Sequence, residues 1–402
     1  MQAKNLTALL IAVALIVGAI VYLDQSKAAS VPTEPVVVVE AALPPSTPLT
    51  NPTEGEPEPA AKPSGLSLKQ MRYERAKEIT TPDGFINSSN PKGAAEPLTI
   101  GEFVGKKVIL LDIWTYSCIN CQRTLPYLKS WWEKYKDKGL VIIGLHTPEF
   151  EFEKKYDNVL AAVKKFGIEY PVVLDNDYST WRAYKNQYWP RKYLIDIDGY
   201  IVYDHIGEGG YEETERKIQE ALTERMARLG ERGKVAVPIT EEKSITRPES
   251  PEVYFGASRN QNLGNGERGR VGVQSLAVPD TLTRNILYLG GTWNIQGEHA
   301  ENESAGATIV FKYKAKEVYF VASSEKGVNA KIYYDDILVQ GSGAIDCRDK
   351  GFCGGEDVAQ DGIVYMKEDR LYKLIQHSGI EEHVLKIEIE QSGLKAFTFT
   401  FG

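Results

Sequence analysis

Cysteine is scarce in this chain: there are four in 402 residues and none ahead of Cys118, which excludes a lipid-modified N-terminal cysteine. A clustered run of Lys and Arg is missing as well. With a formal charge of -8 and a pI near 5.4, the chain lacks the basic surface that a nucleic-acid partner requires. Residues 31–63 are without aromatics yet hold nine of the chain's twenty prolines, so they cannot pack a core. Extended at about 3.1 Å per residue, this stretch is a spacer on the order of 100 Å long. Past residue 250 helical periodicity nearly disappears, which excludes a helical C-terminal half.

One long apolar run is present. LTALLIAVALIVGAIVYL, Leu6 to Leu23, has no charge over its 18 residues. A signal-peptide core spans roughly 7 to 15 residues and a membrane helix about 20, so an uncleaved signal anchor is expected. The small residues of Ser26-Lys27-Ala28 leave a cleavable signal as the competing reading. Either places the remainder outside the cytoplasm, facing the periplasm or cell surface, where disulfides persist, and the signal anchor holds it at the membrane.

Five regions follow from composition and periodicity. They are the anchor (1–27), a disordered Pro/Glu-rich linker (28–65), an α/β domain (66–230), a polar linker (231–249) and an all-β domain (250–402). Within the α/β domain, KVILLDIW and LVIIGLH read as strands buried on both faces, with a helix from Cys118 to about Lys138 between them. Helical periodicity is expected over Glu149–Phe166 and Tyr178–Tyr188, and a hairpin at Asp198-Gly199. The C-terminal domain alternates in short segments such as TIVFKYKA and EVYFVASS, as expected of an antiparallel sandwich of the jelly-roll kind.

The chemistry concentrates in WTYSCINCQRTLPYL. Cysteines at i and i+3 of a helix share a face, and the first, Cys118, falls where the helix start favours a thiolate. Cys118 is thus the expected nucleophile and Cys121 the resolving thiol. A structural disulfide and half of a zinc site are the alternatives to a redox pair, and no second Cys or His pair lies near enough in sequence to complete a zinc site. Asp112 is the one acid in an apolar strand, where desolvation raises a carboxyl pKa. It is placed to take the proton of Cys121, or else is an outward-facing or merely hydrogen-bonded aspartate. Pro126 inside the helix predicts a kink that lets the first turn present the cysteines.

Asp112, Trp114, Cys118, Cys121 and Pro126 have the order and spacing of a thioredoxin active site, and the chain resembles the TlpA-like, DipZ-type redoxins of the thioredoxin-like family. The segments IGLHTPEFEFEK, GEGGYEETERKIQ, SPEVYFGASRNQN and LGGTWNIQ agree, so the resemblance runs from about residue 70 to 402. It implies a thioredoxin-like fold followed by a carbohydrate-binding-module-like β domain. It also implies a thiol-disulfide oxidoreductase that acts through the Cys118/Cys121 dithiol with no bound cofactor or metal. A cis Trp189-Pro190 bond is implied too, with Pro190, Trp189 and Trp114 lining the client groove. The expected partners are exported cysteine-containing proteins and a separate electron donor, since the family's multi-helix membrane domain is not found in this sequence.

Weaker signals remain. Cys347 and Cys353, in IDCRDKGFCGG, are expected to close a structural disulfide. Asp175, Asp177, Glu356, Asp357 and Asp361 lack calcium-loop spacing and read as solvated carboxylates. His146-Thr147-Pro148-Glu149 either borders the groove or starts a helix, with Thr147 as cap. Trp293, Tyr313, Tyr333 and Tyr334 are candidates for stacking on sugars, against ordinary packing. Two competing functions stand beside reduction of client disulfides. One is a thiol peroxidase, for which Thr115-Tyr116-Ser117-Cys118 supplies the wrong motif; the other is a glycan-binding or assembly module with an accessory redox domain.

Overall fold

A computed structural model of the chain describes residues 65–88, 97–235, 237–241, 247–341 and 352–402. The apolar run Leu6–Leu23, the proline-rich spacer and Cys347 lie outside the described residues. Among the described residues no helix is long and apolar enough to cross a membrane.

The first domain runs α1 (Gly65–Arg72), β1 (Gly84–Ile86), β2 (Val108–Trp114), α2 (Ile119–Tyr135), β3 (Leu140–His146), α3 (Tyr156–Phe166) and β4 (Val172–Leu174). It continues with α4 (Ser179–Ala183), β5 (Arg191–Ile195), β6 (Ile201–Ile206) and α5 (Tyr211–Leu229). Its six strands lie in the order β1-β4-β3-β2-β5-β6. The pairs β2–β3 and β3–β4 are parallel, while β5 and β6 form the antiparallel hairpin that turns at Gly199 (φ 84°).

The β2 side chains alternate between two cores, as a strand buried on both faces requires. Ile109, Leu111 and Ile113 enter one apolar cluster. Val108, Leu110 and Trp114 enter the other, together with Cys121, Leu125, Leu128 and Trp131 of α2. Asp112 sits between Leu110 and Trp114, so the pleat turns it toward the face that α2 covers.

Two helices differ from expectation. The Glu149–Phe166 segment is a 3-10 turn (Glu151–Lys154) followed by α3, because the Glu153 carboxylate folds back to accept the backbone N–H groups of Glu149 and Phe150. Thr147 therefore caps no helix; its hydroxyl donates to Asp175. The Tyr178–Tyr188 helix shrinks to the five residues of α4 between left-handed Tyr178 (φ 60°) and Lys185 (φ 49°).

Among the described residues the second domain is all β, with eleven strands: β7 (Val253–Tyr254), β8 (Gly272–Leu276), β9 (Leu287–Ile295), β10 (Ala300–Asn302), β11 (Ala307–Ser323) and β12 (Val328–Tyr334), then β13 (Ile337–Leu338), β14 (Phe352–Gly354), β15 (Ile363–Met366), β16 (Arg370–Ile389) and β17 (Lys395–Phe401). Every strand pairing is antiparallel. The segments that read as separate short strands are continuous: TIVFKYKA and EVYFVASS both belong to the 17-residue β11, which pairs along the 20-residue β16. Trp293 and Tyr313 are fully buried in the core of this domain, which removes them as sugar platforms.

The two domains share a core. Tyr319, Val321, Leu371 and Phe397 of the β domain enter the same apolar cluster as Tyr116, Phe150 and Phe152. The Phe397 ring meets Phe152 edge-on at 4.8 Å. Polar ties surround this contact: Arg123 to Glu317 at 2.7 Å, Lys373 to Glu317 at 2.8 Å and Tyr116 Oη to the Asp369 carbonyl at 3.1 Å.

Candidate active site

The cysteine pair sits where the buried β2 strand delivers the chain to α2. Cys118 is the N-cap of the helix, in extended geometry (φ -77°, ψ 119°), and its sulfur accepts the Cys121 backbone N–H at 3.4 Å. One orphan donor of the helix start is thereby directed at the sulfur. Cys118 is partly exposed and Cys121 is buried, and both are free thiols. Asymmetry of access of this kind separates an attacking thiol from a resolving one. Pro126 lies inside α2, whose buried face includes Cys121, Leu125 and Leu128.

The loop before Cys118 is held by a group that the sequence pattern did not reveal. Ser117 donates from its backbone N–H (3.2 Å) and its hydroxyl (2.7 Å) to Oε1 of the buried Glu153. Glu153 thus ties the cysteine loop to the turn after β3. Burial pushes its pKa up, although hydrogen bonds from Thr115 and Ser117 act against this. Its only sequence signal is an acid flanked by the buried Phe150 and Phe152.

Asp112 lies deeper. It is fully buried, and its Oδ1 has no hydrogen-bond partner among the described residues. Burial raises its pKa to about 6, with the positive charge of Lys192 pulling the other way. Lys192 stands opposite Asp112 in the β2–β5 register, is itself buried, and donates through Nζ to the Gly207 carbonyl at 3.1 Å. Burial also pushes the Cys121 thiol well up, with further upward contributions from Cys118 and from the Asp112 charge. Asp112 and Cys121 therefore lie in one desolvated region, as the proton-acceptor reading requires and the outward-facing reading does not. Burial holds the neighbouring His146 at about 3, so this imidazole is neutral at physiological pH.

The Trp189–Pro190 peptide is cis, and Pro190 is buried at the entry to β5. The Trp189 indole packs on Trp181 at 4.2 Å and donates to the Thr147 carbonyl at 2.9 Å. The Thr147 carbonyl thus holds Trp189, while His146 and Thr147 are themselves buried. A cleft of about 760 Å³ is lined by Asn120 and Trp189, by Gly207 and Glu208, and by Glu252 and Phe401 of the β domain. The residue after Ile119 in the CxxC and the residue before the cis proline therefore share one cavity with the second domain.

Trp114 differs from expectation. It is fully buried and packs edge-on against His146 at 5.3 Å, so it supports the site from beneath and lines no client groove. Asp175 is likewise buried rather than solvated, because it accepts the backbone N–H groups of Thr180 and Trp181 and the Thr147 hydroxyl. Asp357 accepts from Arg370 and from the Lys373 backbone. Cys353 is disulfide-bonded.

Comparison with known proteins agrees with this geometry. Residues 77–222 match the family model described as Redoxin, and residues 250–402 match that described as Thioredoxin like C-terminal domain. Protein DipZ of Mycobacterium tuberculosis (strain CDC 1551 / Oshkosh) is 37% identical over 254 residues, covering 60% of this chain and 35% of its own length. Thiol-disulfide oxidoreductase ResA of Bacillus cereus is 33% identical over 113 residues, covering 28% of this chain and 62% of its own. Thiol-disulfide oxidoreductase YkuV of Bacillus subtilis (strain 168) is 25% identical over 127 residues, covering 32% and 85%. The chain thus spans about a third of the DipZ relatives that it matches. With its CxxC dithiol at the start of α2, the chain thus carries a Redoxin-type domain followed by a Thioredoxin like C-terminal domain, and it is similar to the thiol-disulfide oxidoreductases of the thioredoxin-like family.

Proposed function

We propose that the protein reduces disulfides in exported client proteins from an anchored position outside the cytoplasm, with the Cys118/Cys121 dithiol as the working group. The observation that carries this reading is the asymmetric pair itself: a partly exposed Cys118 sulfur at the helix N-cap, and a buried Cys121 in the same desolvated region as Asp112.

In the proposed cycle the Cys118 thiolate attacks one sulfur of a client disulfide. The Cys118–client bond forms as the client S–S bond breaks, and the first client sulfur leaves as a thiolate that takes a proton from solvent. Asp112 then accepts the Cys121 proton, and the Cys121 thiolate attacks the Cys118 sulfur. The internal disulfide forms, the second client sulfur leaves, and it too is protonated. Two electrons have passed to the client, and a separate dithiol donor restores the pair. The cleft between Asn120, Trp189 and the β domain is the binding surface for the client segment. The apolar Leu6–Leu23 run supports the anchored location.

Cys121→Ala removes the resolving thiol and leaves Cys118 to form mixed disulfides that cannot be released. Cells expressing this variant are expected to accumulate covalent adducts that reducing agent dissolves and that Cys118→Ser abolishes. Recovery of no adducts in an exporting host would rule out client reduction through Cys118. The direction of electron flow is read from the potential of the pair. A value near the -270 mV of a reducing thioredoxin is expected, and one near -120 mV would make the protein an oxidant.

A further inference from the structure

The β domain gathers a second cluster of reactive side chains by distorting a strand. Along the β11–β16 ladder, Ala315 faces Glu381 and Glu317 faces Gln376, so an advance of two residues on β11 is met by five on β16. The segment 377–380 is the bulge that takes up the excess. In a regular strand, residues six apart lie about 20 Å from each other. Here the rings of His377 and His383 stack with centroids 5.0 Å apart. Bulges recur where a strand must re-aim side chains toward a site.

One ligand atom from each of His377, Glu381 and His383 lies within 4.8 Å of the other two. A tetrahedral ion bound at about 2.0–2.1 Å sets its ligands roughly 3.4 Å apart, a separation that small side-chain rotations reach from here. The hydrogen bonds around His383 are an independent observation. Its Nδ1 lies 2.7 Å from Asp335 Oδ2, which directs the ring proton to that nitrogen. Its Nε2 lone pair then faces Glu381 Oε2 at 3.2 Å and the Tyr334 hydroxyl at 2.6 Å. A lone pair and a carboxylate oxygen at that separation repel unless a proton or a metal cation stands between them. A carboxylate on the far nitrogen of a histidine is also the arrangement that orients a metal-bound imidazole. His377 lies beside His383, with its Nε2 2.7 Å from the Tyr313 hydroxyl.

We propose that His377, Glu381 and His383 form a binding site in the β domain for a divalent ion of the zinc class, with Asp335 orienting His383. Two imidazoles and one carboxylate suit such an ion rather than calcium or magnesium, and the fourth position falls to a tyrosine hydroxyl or water. The ion would pin the bulge in its folded-back form.

The test uses the full chain carrying Cys118→Ser and Cys121→Ser, purified without a histidine tag so that neither thiols nor tag compete for metal. After exposure to zinc sulfate and dialysis, elemental analysis is expected to give one zinc per chain, and zinc to raise the thermal midpoint above that in chelator. His383→Gln is expected to weaken zinc binding more than tenfold, and Asp335→Asn by about 10–100-fold. Cobalt is expected to give visible bands in the parent that His383→Gln lacks. If His383→Gln does not fold, Glu381→Gln, at a more exposed position, replaces it. Absence of bound zinc in the parent, as expected if the two carboxylates merely hold a protonated His383, would overturn the proposal. So would equal uptake by parent and variants.

Discussion

Asp112 shows how one residue ties stability to reactivity. Its folded pKa of about 6 lies above the ordinary 3.8, so the folded state binds its proton more tightly than the unfolded chain does. The sign follows: stability is lost as pH rises from about 4 through 6 and stays lower above that. At about 1.36 kcal/mol per unit the loss is roughly 3 kcal/mol, an upper figure for a fully buried group. Asp112→Asn mimics the protonated form at every pH. It is expected to be more stable than wild type at pH 7 by up to that amount and equal to it below pH 4, as read from denaturant midpoints at the two pH values. The same variant is expected to slow release of client from the mixed disulfide at least tenfold and to remove the inflection near pH 6 from that step. Lys192→Met removes the facing charge, so the inflection is expected to move upward instead. An unchanged profile in both variants would exclude Asp112 as the proton acceptor.

At the scale of elements, the groove is built from loops held by buried acids. Asp175 accepts from Thr180 N (2.9 Å), Trp181 N (3.0 Å) and Thr147 Oγ1 (2.9 Å), so it starts α4 and at the same time holds the segment whose carbonyl binds Trp189. Asp175→Ala is expected to cost about 2–3 kcal/mol, the sum of a lost cap and donors left unpaired. It is also expected to lower the rate with a protein disulfide more than with a small aromatic disulfide, since only the former needs the groove wall. The regular elements were legible because their cause is local: β2 in its apolar run, the hairpin in Asp198-Gly199. The 3-10 turn after β3 was not, because the carboxylate that shapes it answers to Ser117, 36 residues away. Lys192 was hidden for the same reason. Its partner is a register position on another strand, and nothing in KYLIDI marks its lysine as buried. A tryptophan beside a CxxC reads as a groove contact, whereas the pleat of β2 turns Trp114 inward.

At the scale of the whole molecule, the β domain is structurally continuous with the redox domain. Phe397 is buried among Phe150 and Phe152, so Phe397→Ala is expected to cost about 3–5 kcal/mol and to split one unfolding transition into two in calorimetry. The polar part of the same interface centres on Glu317. Burial alone would raise its pKa, but hydrogen bonds from Lys373 and Tyr319 and the charges of Lys373 and Arg123 outweigh burial and hold it at about 2, below the ordinary 4.5. Here the sign is the reverse of that for Asp112. The contribution is complete above about pH 4.5 and is lost as pH falls toward 2, and at about 1.36 kcal/mol per unit it amounts to at most roughly 3 kcal/mol. Acid should therefore loosen the junction between the domains by protonating one carboxyl that bridges Arg123 of α2 to Lys373 of the β domain. Glu317→Gln has no such proton to gain. It is expected to be less stable than wild type at pH 7 and to lose less stability than wild type between pH 5 and pH 3, as measured by urea midpoints. Equal losses in the two proteins would place the acid sensitivity of the junction on another group. Because Arg123 lies two residues beyond Cys121 on α2, the same titration should also change access to the client cleft. A fall in Cys118 alkylation rate on acidification that Glu317→Gln leaves unaltered would argue against that coupling.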